Sequence, residues 1–111
     1  MTEFKDPIIA FIDKNLDIVN WEGISKNPNI PVEFFEKHID KVDWINLCEN
    51  TSIPHTFFEK HIDKVHWSCL SYNTKIPVEF FEKHLDKVDW YGLSKNPNIP
   101  IKFLDKYKYR M

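Results

Sequence analysis

A chain of 111 residues with 42% hydrophobic content is about the size of one domain and can bury a core without disulfides or a structural metal. Lys plus Arg total 15 against 17 for Asp plus Glu, a net charge of -2, which excludes strong nonspecific attraction to nucleic acid or to an anionic membrane. Cys48 and Cys69 suggest no disulfide framework, no apolar run reaches membrane-spanning length, and the acid-bearing N-terminus does not read as a secretory signal. These features together point to a soluble protein of a reducing, intracellular, cytoplasmic setting.

Residues 1–20 form a cap in which Phe11, Leu16, Asp17 and Val19 keep the pattern of the later units, with Pro7 one place out of step. From Trp21 onward the chain repeats every 23 residues without a gap: Trp21, Trp44, Trp67 and Trp90 recur, with the pairs Phe34–Phe35, Phe57–Phe58 and Phe80–Phe81 and three Glu-Lys-His runs. The units are 21–43, 44–66 and 67–89, followed by a partial copy at 90–111 that drifts after Phe103. Divergent ends are typical of terminal capping units. The chain therefore reads as a single helical-repeat domain.

Within each unit the predicted elements are two. In residues 31–42, Val32, Phe34, Phe35, Ile39 and Val42 fall on one arc at about 100° per residue, opposite Glu33, Glu36, Lys37, Asp40 and Lys41. The pattern predicts longer helices near 7–19, 31–42, 54–65, 77–88 and 100–109, with Pro31, Pro54, Pro77 and Pro100 in their first turns. Each Trp opens a shorter α or 3₁₀ element. A turn centred on Asn27, Asn50, Asn73 or Asn96 follows it, a residue type that tolerates left-handed backbone and bonds its own backbone. The fold class expected is all-α, a repeat solenoid alternating a short α/3₁₀ element with a longer α-helix.

The run Asn-Pro-Asn-Ile-Pro-Val-Glu-Phe-Phe, with Asn27, Pro28, Pro31 and Glu33, resembles the leucine-rich variant repeat. That resemblance implies a right-handed superhelix of alternating 3₁₀ and α elements. The phrase Asp-Lys-Val-Asp-Trp followed by Leu-Ser and Asn-Pro-Asn is similar to the short tandem repeats of giant viruses that infect amoebae. It implies an interaction role, with a host or virion partner if the chain is viral, and it carries over no catalytic residue.

The recurring side chains divide into structural and candidate binding positions. Trp21, Trp44, Trp67 and Trp90 sit beside leucines on an element with little else to bury, and Phe35, Phe58 and Phe81 lie on the apolar arc, so both columns are assigned to the core. His38, His61 and His84 form a column about 10 Å apart, too wide for one metal ion. They are assigned a structural, partly buried role in which desolvation and mutual repulsion lower their pKa below about 6.5. No Ser-His-Asp spacing, phosphate loop or HExxH segment occurs, so neither an enzyme nor a cofactor is expected.

Lys37, Lys41, Lys60, Lys64, Lys83 and Lys87 form a basic stripe, continued by Lys106 and Arg110. An acidic stripe of Glu36, Asp40, Glu59, Asp63, Glu82 and Asp86 runs beside it. The basic stripe is the candidate partner-binding surface. A protein or peptide ranks first as partner, nucleic acid second because the acidic stripe lies within about one Debye length, and self-assembly third. The expected state is a monomer or weak homo-oligomer.

Overall fold

Prolines set the starts of four helices in the computed structural model, which describes residues 4–111. Pro31, Pro54, Pro77 and Pro100 hold φ between -71 and -69 and ψ between 148 and 152. That is extended backbone, so each proline stands just outside its helix rather than in the first turn. Pro7 is different: it is the first helical residue, and Asp6 ahead of it accepts a hydrogen bond from Ile8 N–H at 2.8 Å. The one-place offset of Pro7 therefore reflects a different way of starting the same element.

The described residues hold nine α-helices and no strand. In chain order they are Pro7–Asp13 (α1), Trp21–Lys26 (α2), Val32–Lys37 (α3), Trp44–Glu49 (α4), His55–Lys60 (α5), Trp67–Leu70 (α6), Val78–Glu82 (α7), Trp90–Lys95 (α8) and Ile101–Lys106 (α9). Short 3₁₀ turns lie at Ile62–Lys64 and Lys108–Arg110. The whole is elongated, 49 × 21 × 20 Å. Each Trp-led helix has a side-chain cap: Asn20, Asp43, His66 and Asp89 accept from backbone N–H groups two or three residues on, which satisfies donors that a helix start leaves open.

The second element of each unit is shorter than its apolar period predicts. Helix α3 stops at Lys37, not near residue 42, because His38 leaves helical backbone at φ -120 and ψ 41; His61 does the same at -122 and 43. The bend coincides with the imidazole turning back toward the preceding unit. Beyond it the chain makes a single turn, closed by Lys41 N–H to the His38 carbonyl at 2.9 Å. Val42 is still buried and Ile39 still packs on the core, so burial keeps the period after the helix has ended. The expected contrast between a short and a long element accordingly gives way to two helices of equal length, six residues each in α2 and α3.

Packing repeats with the sequence. Each tryptophan stacks on the phenylalanine thirteen residues later: Trp21 on Phe34 at 5.8 Å, Trp44 on Phe57 and Trp67 on Phe80 at 5.9 Å, Trp90 on Phe103 at 6.1 Å. Phe35, Phe58 and Phe81 are fully buried, as are Leu47, Leu70 and Leu93, and the four tryptophans pack against this core half-buried. The asparagines are not in left-handed backbone, since no residue other than glycine has a positive φ among the described residues. Instead they link units. The Asn50 side-chain amide donates to the Ser25 carbonyl at 2.9 Å, Asn73 to that of Cys48 at 2.8 Å, and Asn96 to that of Ser71 at 3.0 Å. Their Oδ1 atoms accept from backbone N–H groups two residues on. Within a unit, Ser25 Oγ and Ser71 Oγ accept from Asp43 N–H and Asp89 N–H at 2.8 and 3.0 Å, tying the first helix to the residue that caps the next Trp-led helix.

Phe58→Ala removes a fully buried ring in the central unit and should cost about 3–5 kcal/mol in urea denaturation; a loss below about 1 kcal/mol would contradict the packing. The two glycines should part company in the same assay. A Cβ at Gly92 would lie 2.9 Å from Ser71 Cβ and 3.3 Å from the Tyr72 ring, whereas at Gly23 its nearest neighbour is Asn20 Cγ at 3.9 Å. Gly92→Ala should destabilise by about 1–3 kcal/mol through overpacking, and Gly23→Ala should stabilise by about 0.5–1 kcal/mol.

Candidate binding surface

The charged stripes lie across the boundaries between units, and their contacts are made from one unit to the next. Lys37 Nζ and His38 Nε2 meet the Asp13 carboxylate at 2.6 and 2.7 Å. One unit on, Lys60 and His61 grip Glu36 at 3.1 and 3.0 Å, and His84 reaches Glu59 at 3.3 Å. In the last unit Tyr107 takes the histidine's place: its hydroxyl donates to Glu82 at 2.6 Å while Lys106 approaches the same oxygen at 3.1 Å. Asp13, Glu36, Glu59 and Glu82 are thus a column of acceptors 23 residues apart.

Each ring at this joint does two jobs. His38 lies 4.8 Å from Phe34 and 6.0 Å from Trp21, and His61 is 4.9 Å from Phe57 and 6.0 Å from Trp44. The flat face packs on the aromatic stack and the nitrogen at the edge meets the carboxylate. His38 is buried, and His61 and His84 are partly so. The partly buried column is as expected, and each ring nitrogen also faces a carboxylate of the unit before it, a partner that the expectation of desolvation and mutual repulsion left out. Burial pushes the Asp13 and Glu36 carboxyls up, but hydrogen bonds from Lys37 and His38, and from His61 and Lys60, with the positive charge they bring, outweigh it. Both lie below their ordinary values. At Glu82 the hydrogen bonds from Tyr107 and Lys106 lower the carboxyl in the same direction.

All six candidate lysines are exposed, yet they are of two kinds. Lys37 and Lys60 are joint residues, held by a carboxylate of the preceding unit. Lys83 occupies the corresponding place beside His84. Lys41, Lys64 and Lys87 lie one turn further on, beside the exposed Asp40, Asp63 and Asp86. Between α3 and α5 an open groove of about 320 Å³ is lined by Val32, Glu36, Pro54, Thr56, Phe57 and Lys60. On the Trp-led helices α4 and α8, Ile45 and Tyr91 are exposed, as is Tyr72 in the turn after α6, and Lys95 Nζ lies 5.4 Å from the Tyr91 ring centre.

The cysteines are both free thiols. Cys48 is buried at a position where the neighbouring units have Ser25 and Ser71; its sulfur accepts from His66 N–H at 3.4 Å, and burial pushes its thiol up to about 12. Burial and the nearby Glu49 carboxylate raise Cys69 as well, so neither thiol is activated as a nucleophile. Among the described residues no group of three or more His, Cys, Asp or Glu side chains is placed to hold a metal ion, and no helix is long and apolar enough to cross a membrane. No family model matches the chain, and no curated protein or solved structure matches it.

The joints fix the sign of the acid response. Because the folded Asp13 and Glu36 carboxyls lie below their ordinary values of 3.8 and 4.5, the unfolded chain binds more protons as pH falls through that range. Their stabilisation is complete above pH 4.5 and is lost as pH drops toward the lowered folded values. Urea denaturation at pH values from about 6 down to about 3 should show stability falling below that point for the wild type. The same limb should be shallower in Glu36→Gln, and equal slopes would show that the Glu36 joint contributes nothing.

Proposed function

We propose that this chain is a non-enzymatic helical-repeat solenoid, related in kind to the leucine-rich variant repeats, that binds a protein or peptide segment along its length. The observation that carries the reading is the chain of joints from Asp13 to Tyr107. Joints of this kind hold successive units in one relation, so that the exposed Lys41, Lys64 and Lys87 recur in fixed order with Asp40, Asp63 and Asp86. A partner that spans several units then gains contacts without the cost of ordering the scaffold.

The same joints weaken the nucleic-acid reading. Lys37, Lys60 and Lys106 each have a carboxylate oxygen within 3.1 Å, so their charge is offset before a phosphate arrives. The partner that fits is one carrying both signs of charge in alternation, since a mixed surface sets register and rejects partners of the wrong pattern. Free thiols suit a reducing compartment, and a viral origin would make the partner a host or virion protein.

Separating the two kinds of lysine makes the reading testable. Reversing Lys41, Lys64 and Lys87 to Glu should leave the melting temperature within about 2 °C of wild type, because exposed pairs contribute little. The same change should weaken a protein recovered on the immobilised chain by at least about tenfold. Reversing Lys37 and Lys60 should lower the melting temperature, since it puts like charges at Asp13 and Glu36. Micromolar or tighter binding to random oligonucleotides that falls steeply between about 50 and 200 mM salt would overturn the proposal.

A further inference from the structure

Inside the chain, units offer two features to the unit that follows. The first is a side chain at the start of the second helix: His55 packs edge-on against Phe80 of the following unit, with ring centres 6.4 Å apart. The second is the carboxylate that takes a lysine and a ring from the following unit, as Asp13 takes Lys37 and His38. In the last unit both features face outward. Ile101 stands where His55 does and is 80% exposed. Asp105 stands where Glu82 does, its side chain 72% exposed, with a 3.4 Å contact to Lys108 of its own turn.

The first unit shows the matching receiving side. Phe11 occupies the position of Phe80 and is 60% exposed. Lys14 and Asn15 occupy the positions of Lys37 and His38. Lys14 is exposed. The Asn15 amide, which donates to the Phe11 carbonyl at 2.7 Å, has a second N–H to give.

We propose that the two ends of the molecule are complementary and that the chain associates head to tail with a second copy of itself. Setting one copy's first unit where the other's next unit would lie brings Ile101 onto Phe11 and Asp105 onto Lys14 and Asn15 in a single register. Both pairings repeat contacts that the chain already makes internally, one apolar and one charged. A contact between two different surfaces that repeats the step between units along the long axis does not bring the ends round to close a ring, so it extends into open chains. An end of 21 × 20 Å offers roughly 400 Å² a side, about half of what each partner contributes to a standard stable interface. Association is accordingly weak and concentration-dependent. It uses the ends only and leaves the long charged face to another partner.

Sedimentation velocity of the full chain from about 10 μM to 1 mM, the range such a small interface implies, tests this directly. The expected result is a weight-average mass that rises with concentration for the wild type. Asp105→Lys and Lys14→Glu, each folded by circular dichroism, should remain single chains across the range, because each sets like charges against each other at the contact. Mixing the two variants should restore association: the exchanged charges attract at one contact, and the native Asp105 and Lys14 that remain, one on each variant, attract at the other. The chain carrying both substitutions should also associate alone. A wild-type mass that stays constant to the highest concentration would overturn the proposal. So would single variants that associate as well as the wild type, or a mixture that stays dissociated.

Discussion

A helix of six residues does not survive alone in water, because the cost of its first turn is spread over too few hydrogen bonds. Eight of the nine α-helices among the described residues are six residues or shorter, so every element depends on what its neighbours supply across the boundary between units. Three things cross that boundary: the buried phenylalanines, the asparagine amides that reach carbonyls of the preceding unit, and the carboxylate joints. The amides matter out of proportion to their number. A helix end buried without partners leaves carbonyls unsatisfied at roughly 1–3 kcal/mol each, and Asn50, Asn73 and Asn96 cover those of Ser25, Cys48 and Ser71.

Much of this is legible in the sequence, and the rest is not for a definite reason. Periodicity within a unit identifies the tryptophan and phenylalanine columns and the starts at each proline, because those residues act locally or face a common core. It misplaces the helix ends, since Ile39 and Val42 keep an apolar period through a turn as readily as through a helix. For the asparagines it suggests left-handed backbone, which is the demand an isolated turn would make of them. Their Oδ1 atoms do bond the local backbone two residues on, but the acceptors of their amide N–H groups lie 25 residues back, beyond the reach of any pattern confined to one unit. The acceptor column has the same explanation. Asp13, Glu36, Glu59 and Glu82 share one repeat position and the lysines and histidines others, but the offset of 24 or 25 residues that joins them becomes apparent only when one unit is laid on the next.

Two departures from the repeat act as compensations. Tyr72 stands where the adjacent units have Glu49 and Lys95. Its ring fills space that a side chain at position 92 would otherwise take, and Gly92 is buried there. At the drifting C-terminal end, Tyr107 replaces histidine without loss of the joint: it lies 4.9 Å from Phe103, 6.0 Å from Trp90, and donates to Glu82. At the joints inside the chain the position thus holds a flat ring with a polar tip, which imidazole and phenol both provide and which an aliphatic ammonium does not.

That requirement decides which charges remain available to a partner. A ring that packs on the aromatic stack fixes its carboxylate, and the carboxylate in turn holds the lysine beside it, so Lys37, Lys60 and Lys106 serve the scaffold before they serve any ligand. Charges one turn further along, at Lys41, Lys64 and Lys87, come after the helix has ended, at the bends of His38 and His61 in two units and after Glu82 in the third, and stand on the turn that follows. The bend that shortens the helix is thus also the feature that separates the structural row of lysines from the exposed one. In the proposed binding role, recognition would depend on the spacing of turns rather than on the length of helices, and a partner would have to match the step between units to engage more than one of them.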